Sequence, residues 1–341
     1  MPYVPAPVSA GLRALSAVAP PLAVRVAARA FWYVGPPAAV RPTDRAVHER
    51  AERRAVDVDG ERVVTYRWGD RRAPAVLLVH GWKSRASRFA GLVDALEAAG
   101  MGVVAFDGVA HGDSSGRRMS ALEHQAAIRA VHDAEGPFTA VVGHSLGALA
   151  AGLALADGLP VDRFVSVAAM TGFDAIAESF LRLVGMPAGL HERFCQHVER
   201  TFPGAVRDVR ARIDLLAHPV PERVATLFVQ DDDDRMSLPA GAPLLHAAVP
   251  GSELLTTRGL GQGARRPRRR GGRRRPRHGA SARVRETVTR GGRAPARPPG
   301  GARCAWSWSA VRDGSGRGWS RCCGRGATTR WPPPGGRGST S

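Results

Sequence analysis

Short apolar runs alternate with segments of helical spacing between residues 54 and 257 of the chain. Runs such as AVLLV at residues 75–79 are almost wholly apolar, which is typical of strands buried on both faces of a parallel sheet. We predict strands at 54–58, 63–68, 75–79, 102–106, 138–142, 162–168, 224–229 and 253–257. We predict helices at 87–99, 120–134, 146–155 and 240–248. This alternation predicts right-handed crossovers and a mostly parallel sheet with helices on both faces, an α/β fold.

Two segments depart from the alternation. Residues 171–216 have an irregular helical pattern with several phenylalanines, which predicts a small helical cap inserted in the fold. Residues 1–53 form a leader region, whose first 33 residues are apolar but are interrupted by arginines and by the pair Pro20-Pro21. No uncharged run of about 18 residues remains, so we predict no transmembrane span. Packing of the leader on its own domain is the favoured interpretation, and peripheral contact with a membrane is the alternative.

The periodic pattern ends at about Gly261, where the composition changes abruptly. Residues 262–341 contain 21 arginines but two acidic residues, and 24 of these 80 positions are glycine or proline. The net charge of +19 therefore lies in this segment, while residues 1–261 are neutral. Such a composition cannot bury enough apolar area to offset chain entropy, so we predict a disordered basic tail. The predicted plan is a leader at 1–53, an α/β domain at 54–261 and a tail at 262–341.

A strongly basic chain often binds nucleic acid, but the location of this charge weakens that interpretation. A selected tail would bind acidic surfaces with a steep salt dependence, and we predict no specific nucleic-acid partner. Of the four cysteines, Cys195 stands outside the tail, and their spacing matches neither a disulfide framework nor a metal site. We predict no metal and no cofactor. The arginines within the leader do not fit a secretory signal, so we predict a cytoplasmic protein.

The strongest candidate chemistry is the sequence GHSLG at residues 143–147, which fits G-x-S-x-G between an apolar strand and a helix. We expect Ser145 on a sharp turn that lifts its Oγ clear of the sheet. The following helix then points its N-terminal amides at a developing negative charge. Both glycines are expected because a Cβ at either position would collide with neighbouring backbone. A chance match in a glycine-rich chain is the alternative.

A second motif, HGW at residues 80–82, follows the strand 75–79. In such a fold this loop supplies one backbone N–H of an oxyanion hole, which we assign to Trp82, and Leu146 N–H is its partner. Nearby histidines are expected to order loops or to point away from the serine rather than to carry protons: His80, His111 and His144.

The segments LLVHGW, FDGVAHGDSSG and VVGHSLGALAA together resemble the α/β-hydrolase superfamily of esterases, lipases and related serine hydrolases. The resemblance covers about residues 54–261. It implies an acid after the late strand that follows the cap, and a histidine after the final strand. Asp234 is the predicted acid, and Asp233 is the alternative because four consecutive aspartates leave the register uncertain by one. A solvated acidic loop is the other interpretation.

The histidine that the resemblance implies is missing. The glycine-rich turn after the last strand is followed by Gln262, and glutamine cannot act as a general base. His278 lies further on, inside the arginine-rich tail, and we do not expect it to fold back into the site. Since this loss coincides with the change in composition, we hypothesise that the reading frame shifts at about Gly261.

These features predict a serine hydrolase that acts on an ester or related acyl substrate and is impaired by the missing histidine. The predicted partner is a small-molecule acyl substrate. Lipase-like, peptidase-like and perhydrolase-like activities all fit, because the cap selects the substrate. The alternative is a catalytically inactive binding protein that keeps the same fold.

Overall fold

A computed structural model of the chain describes residues 6–202, 206–234, 236–237 and 240–259. The predicted tail at 262–341, with Gln262 and His278, and the predicted frame change near Gly261 lie outside the described residues. Within the described ranges an eight-stranded sheet forms the centre of the fold. Its strands are β1 Glu52–Val58, β2 Glu61–Trp68, β3 Ala75–Val79, β4 Gly102–Phe106, β5 Phe138–His144, β6 Arg163–Val167, β7 Ala225–Asp231 and β8 Glu253–Thr257.

The strands follow the order β1-β2-β4-β3-β5-β6-β7-β8 across the sheet. β1 and β2 form an antiparallel hairpin, β2 pairs antiparallel with β4, and the later pairs are parallel. All residues of β3 and β4 are buried, which explains why these strands read as unbroken apolar runs. The predicted α/β fold with a mostly parallel sheet is confirmed.

Helices cover the sheet. In the sequence, some of them precede β1 and the others lie between successive strands. Those in the described part of the chain are α1 Ala6–Val18, α2 Pro20–Trp32, α3 Arg45–Glu49, α4 Ala90–Ala98, α5 Ala121–Glu135, α6 Leu146–Ala156, α7 Phe173–Val184, α8 His191–Arg200, α9 Val209–Arg212 and α10 Gly241–Ala248. Helices α7, α8 and α9 lie between β6 and β7 in the chain and form the helical insertion that we call the cap.

Several element boundaries differ from the predicted ones by one to three residues, and two of these differences have a clear physical reason. The helix predicted from residue 87 starts as a 3-10 turn at Ala86–Phe89, where the buried Asp107 accepts a hydrogen bond from Ala86 N at 2.8 Å. Strand β7 continues to Asp231 because that residue still pairs with Thr257 of β8. The predicted strand end at residue 229 was therefore two residues too early.

Helix α6 is buried over almost its whole length. Its sequence LGALAAGLALA is apolar on all sides, as expected for a helix enclosed by protein. It packs between the sheet and α5, and its first residue follows directly on the end of β5. Because β5 is a central strand, this arrangement places Ser145 near the middle of the sheet edge.

The first two helices of the leader, α1 and α2, meet at Ala19. Pro20 and Pro21 begin α2, where a missing backbone N–H costs nothing. Helix α2 packs against α8 of the cap through one buried face: Ala23, Val24, Ala27, Ala28 and Trp32. Among the described residues, no helix combines the length and the apolar content that crossing a bilayer requires.

An aromatic cluster joins the leader to the cap. The ring of Phe31, at the end of α2, makes edge-to-face contacts with three phenylalanines of the cap. The ring centroids lie 6.3, 5.1 and 5.4 Å from Phe31 for Phe173, Phe180 and Phe194 respectively. Such pairs add to the free energy of apolar burial, so the end of α2 has a fixed position on the cap.

Candidate active site

Ser145 lies on a sharp turn between β5 and α6. Its φ of 54° and ψ of −122° belong to a region that residues other than glycine rarely adopt. Ser145 N donates to Val167 O of β6 at 2.9 Å, and Ser145 O accepts from Leu149 N of α6 at 3.1 Å. The neighbouring strand and the following helix therefore hold the strained turn in place.

The two glycines of GHSLG stand where backbone segments approach each other. A Cβ on Gly143 would lie 2.5 Å from Ala148 Cα. A Cβ on Gly147 would lie 2.4 Å from the carbonyl oxygens of Val79 and His80. Side-chain rotation relieves neither clash, because the opposing atoms belong to the backbone. The motif is therefore required by the packing of α6 against β3 and β5.

The loop after β3 passes beside Ser145. A Cβ on Gly81 would lie 3.0 Å from Ser145 Cβ and 2.9 Å from His144 O. The next residue is Trp82, whose side chain lines a pocket together with Ser145 and Leu146. Leu146 is the first residue of α6, where backbone N–H groups have no intrahelical acceptor. The structure thus brings the predicted nucleophile and both predicted oxyanion donors together, and their catalytic roles stay predictions.

Three buried histidines make hydrogen bonds with the backbone of this loop and of the segments packed against it. His80 Nε2 accepts from a backbone N–H after β4 at 2.9 Å, so Nδ1 carries the proton and donates to Gly81 O at 2.8 Å. His111 Nε2 accepts from Lys83 N at 3.0 Å. His124 Nε2 donates to His80 O at 3.0 Å. Acceptance at Nε2 requires a neutral ring in one tautomer at His80 and at His111, whereas His124 donates through Nε2 and can do so in either protonation state.

Burial keeps these rings neutral. Loss of solvation lowers the pKa of His111 and of His124 to about 4. It also lowers the pKa of His80 well below its usual range, and the two neighbouring imidazoles add to that effect. Burial lowers the pKa of His144 as well, while the carboxylate of Asp234 acts in the opposite direction. His80, His111 and His124 thus hydrogen-bond to the backbone of the loop after β3 and of the segment after β4.

The two candidate acids differ in burial. Asp234 is 5% exposed, and its Oδ1 accepts from Met236 N at 2.8 Å while its Oδ2 accepts from the Ser237 hydroxyl. Asp233 is exposed, and its Oδ2 accepts from Gly259 N at 2.9 Å, beyond the end of β8. Within the described ranges, no histidine hydrogen-bonds to either carboxylate. The expected positions for the base, Gln262 and His278, are outside those ranges.

Ser145 forms part of the wall of an apolar pocket of about 880 Å³, a volume that includes its open mouth. Three serines supply the hydroxyl groups of the lining, and no charged side chain lines it among the described residues. From the cap come Phe173, Ile176, Ser179, Phe180, Leu183, Phe202 and Ile213, and from around the sheet edge come Trp82, Met119, Ser120, Ala121, Ser145, Leu146, Met170 and Met236. The leader contributes the rest.

Phe31 and Trp32, at the end of α2, complete the pocket wall. The sequence pattern did not single out these two residues, because their place depends on how the leader docks on the cap. One available signal was the pair of aromatic residues that ends the apolar leader. The leader is therefore part of the candidate active site.

One group of side chains could supply metal ligands within the part of the chain that the structure describes. Potential ligand atoms of Asp174, His191 and Cys195 all lie within 4.8 Å of one another in the cap. Arg210 Nη2, however, already bonds Asp174 Oδ1 at 2.8 Å, and burial raises the pKa of Cys195 to about 12. None of the three lines the pocket. A cation would have to compete with a guanidinium and bind a thiol that resists ionisation.

Comparison with known proteins finds similarity to a hydrolase family over part of the chain. The family described as serine aminopeptidase, S33, matches residues 70–220, which include the turn at Ser145 and the loop at Trp82. The match ends before β7, so it covers neither candidate acid nor the leader. No curated protein matches the chain.

Several solved structures are similar to this chain. A thioesterase domain from the curacin biosynthetic pathway is 19% identical, with a TM-score of 0.45 over 62% of this chain and 94% of that one. Mouse alpha/beta hydrolase domain-containing protein 10 is 15% identical, with a TM-score of 0.49 over 62% of this chain and 91% of that one. An alpha/beta hydrolase from Sphaerobacter thermophilus is 22% identical, with a TM-score of 0.41 over 60% of this chain and 91% of that one.

Proposed function

Because this chain belongs to the α/β-hydrolase superfamily, we propose that it is a serine hydrolase that transfers an acyl group from an ester or related substrate to water through Ser145. The observation that carries the proposal is the strained turn at Ser145, placed at the wall of an apolar pocket. A strained φ at a non-glycine residue persists where surrounding structure imposes it, and such residues cluster at active sites.

In the first step Ser145 Oγ forms a bond to the carbonyl carbon of the substrate. The carbonyl electrons move onto oxygen, and the backbone N–H groups of Trp82 and Leu146 donate to this oxyanion. The bond to the leaving group then breaks, and the leaving oxygen takes up the proton that serine has lost. Water next attacks the acyl-serine, which releases the carboxylic acid and restores the serine hydroxyl.

The reaction also needs a group that takes the proton from Ser145. Asp234 is suited to orient a base because its carboxylate is buried and hydrogen-bonded. Gln262 occupies the position where the family pattern places a histidine, and its amide cannot accept the proton. Loss of a triad member reduces kcat by as much as roughly a millionfold, although the oxyanion donors preserve some rate above that in water. We therefore expect slow turnover with slow acylation of Ser145.

The test is covalent labelling of the full chain with a fluorophosphonate, followed by turnover of p-nitrophenyl butyrate. We expect labelling of the parent and none of Ser145→Ala. Ser120→Ala is the matched control, because Ser120 also lines the pocket but lies at the start of α5. Labelling that persists in Ser145→Ala, or that disappears equally in Ser120→Ala, would contradict the assignment of the nucleophile.

A second variant tests the missing base. Gln262→His places an imidazole where the family pattern expects one, and we expect the rate of ester turnover to rise at least tenfold. A rise that is lost again in the double variant Gln262→His with Asp234→Asn would support the triad. An unchanged rate would show that position 262 is not the place of the base, while leaving the labelling of Ser145 as a separate result.

The missing base also favours one alternative, a binding protein that keeps the hydrolase fold and pocket without turnover. The two functions differ in the reactivity of Ser145. A folded parent that binds an apolar ligand but is not labelled over hours would favour the binding protein.

A further inference from the structure

We infer that the pocket beside Ser145 binds the hydrocarbon chain of a medium- or long-chain acyl group, and that leader helix α2 determines how strongly chain length is selected. The inference rests on the proposed hydrolase function. It names the substrate class, and it assigns a role to a segment that precedes the matched hydrolase residues 70–220.

The chemistry of the pocket wall supports an apolar ligand. Aromatic, aliphatic and methionine side chains dominate the lining, and the charged groups of the cap lie elsewhere. Asp174, Glu192 and Arg210, for example, pair with one another and do not line the pocket. The pocket volume of about 880 Å³ includes its open mouth, so it is an upper bound on the space that the wall encloses. A short acyl group such as acetyl would contact only part of this apolar wall, whereas a longer chain would contact more of it.

Helix α2 closes the pocket with rings whose positions are fixed by packing. Phe31 contacts three cap phenylalanines, of which Phe173 and Phe180 also line the pocket. Trp32 is 8% exposed and packs edge-to-face on Phe202, with ring centroids 5.1 Å apart. A ligand in the pocket therefore meets rigid aromatic surface on the leader side, and rigid surface discriminates between chains better than mobile surface does.

Burial of the chain sets the size of the effect. Each methylene moved from water into an apolar site improves binding by about fourfold. Four added methylenes that remain in contact with the wall thus correspond to a gain of about two orders of magnitude. Truncation of Phe31 removes part of that contact, so the dependence on chain length should become weaker.

The first experiment measures binding without chemistry. In the full-length Ser145→Ala variant, methyl butyrate, methyl octanoate and methyl dodecanoate compete with Nile red. These ligands are uncharged, so the arginine-rich segment at 262–341 does not attract them electrostatically. We expect octanoate to bind at least thirtyfold more tightly than butyrate. Equal affinity for the three esters would overturn the inference, whatever the outcome for the proposed hydrolase.

The second experiment tests α2. We expect Phe31→Ala to reduce the ratio of octanoate to butyrate affinity at least fivefold. The matched control is Leu22→Ala, an apolar truncation on the exposed side of the same helix, which should leave that ratio unchanged. Circular dichroism and a cooperative thermal transition establish that each variant is folded. If Phe31→Ala does not fold, Phe31→Leu is used, and a fall of at least twofold is expected.

The third experiment connects the inference to the proposed function. Alkyl fluorophosphonates with ethyl, hexyl and decyl chains are compared by their rates of Ser145 labelling in the parent. We expect the rate to increase with chain length, and Phe31→Ala to flatten that increase. Selective binding of long esters without any labelling would sink the proposed hydrolase while leaving the apolar pocket in place. Labelling that does not depend on chain length would contradict the acyl-chain inference alone.

Discussion

Acid should destabilise this protein well before its carboxylates are protonated, because the loop beside Ser145 depends on neutral histidines. A histidine with a lowered pKa in the folded state binds fewer protons there than in the unfolded chain. Its contribution to stability is complete above the unfolded pKa of 6.5 and is lost as the pH falls toward the folded pKa. For His111 and His124 that folded pKa is about 4.

The magnitude follows from these values. Each such histidine reduces the free energy of unfolding by about 1.4 kcal/mol per pH unit within this window, or about 2 kcal/mol between pH 7 and pH 5. His80, whose pKa is lowered further, titrates in the same direction. His111 and His124 together then cost about 4 kcal/mol at pH 5, a large part of the total stability of many domains, and His80 adds to this loss. We expect marked destabilisation near pH 5.

Urea unfolding followed by circular dichroism at about pH 7.5, 6.5 and 5.5 measures this slope. His124→Gln keeps an N–H donor for His80 O but removes one titrating group, so the stability lost between about pH 7.5 and 5.5 should decrease by about 1.4 kcal/mol. His218→Gln, on the exposed surface, is the control and should leave the slope unchanged. The reasoning is refuted if the parent is equally stable at all three pH values, or if both variants have the same slope as the parent.

Three substitutions test the packing around the site, each by urea unfolding. Gly147→Ala should cost about 3 kcal/mol, because its Cβ would lie 2.4 Å from the carbonyl oxygen of His80, and a variant as stable as the parent would contradict that geometry. Tyr66→Phe removes a hydroxyl that lies 2.8 Å from the buried Asp107 carboxylate; we expect a loss of about 1–3 kcal/mol, and no loss would show that the bond contributes nothing. Trp68→Phe removes a bond of 2.8 Å to a buried backbone carbonyl and should cost about 1 kcal/mol, whereas a stabilised variant would be inconsistent with it.

The central part of the fold could be predicted because its rules are local. A strand buried on both faces requires an unbroken apolar run, as in β3, and the enclosed helix α6 requires small apolar residues on every side. The ends of helices and strands were less predictable where a side chain that is distant in sequence hydrogen-bonds to the end of the element. The turn at Ala86–Phe89 is fixed by Asp107, which follows a different strand.

In the candidate site, too, the features that depend on adjacent residues could be predicted, and those that depend on tertiary packing could not. GHSLG could be found from sequence because the turn needs its glycines and serine at adjacent positions. Four consecutive aspartates gave no means of choosing between Asp233 and Asp234, since which carboxylate turns inward depends on the loop around Ser237. The contribution of Phe31 could not be predicted, because it requires knowing where the leader docks on the cap.

The contribution of α2 to the pocket wall has a consequence for how this protein could diversify. The serine turn and the helix that faces its pocket are encoded far apart in the gene, and α2 precedes every strand of the sheet. Substitutions confined to α2 could therefore change which molecules the pocket accepts while the sheet and the serine turn are inherited intact. An expression clone trimmed to the recognisable hydrolase core would discard that determinant and would be assayed with the wrong pocket.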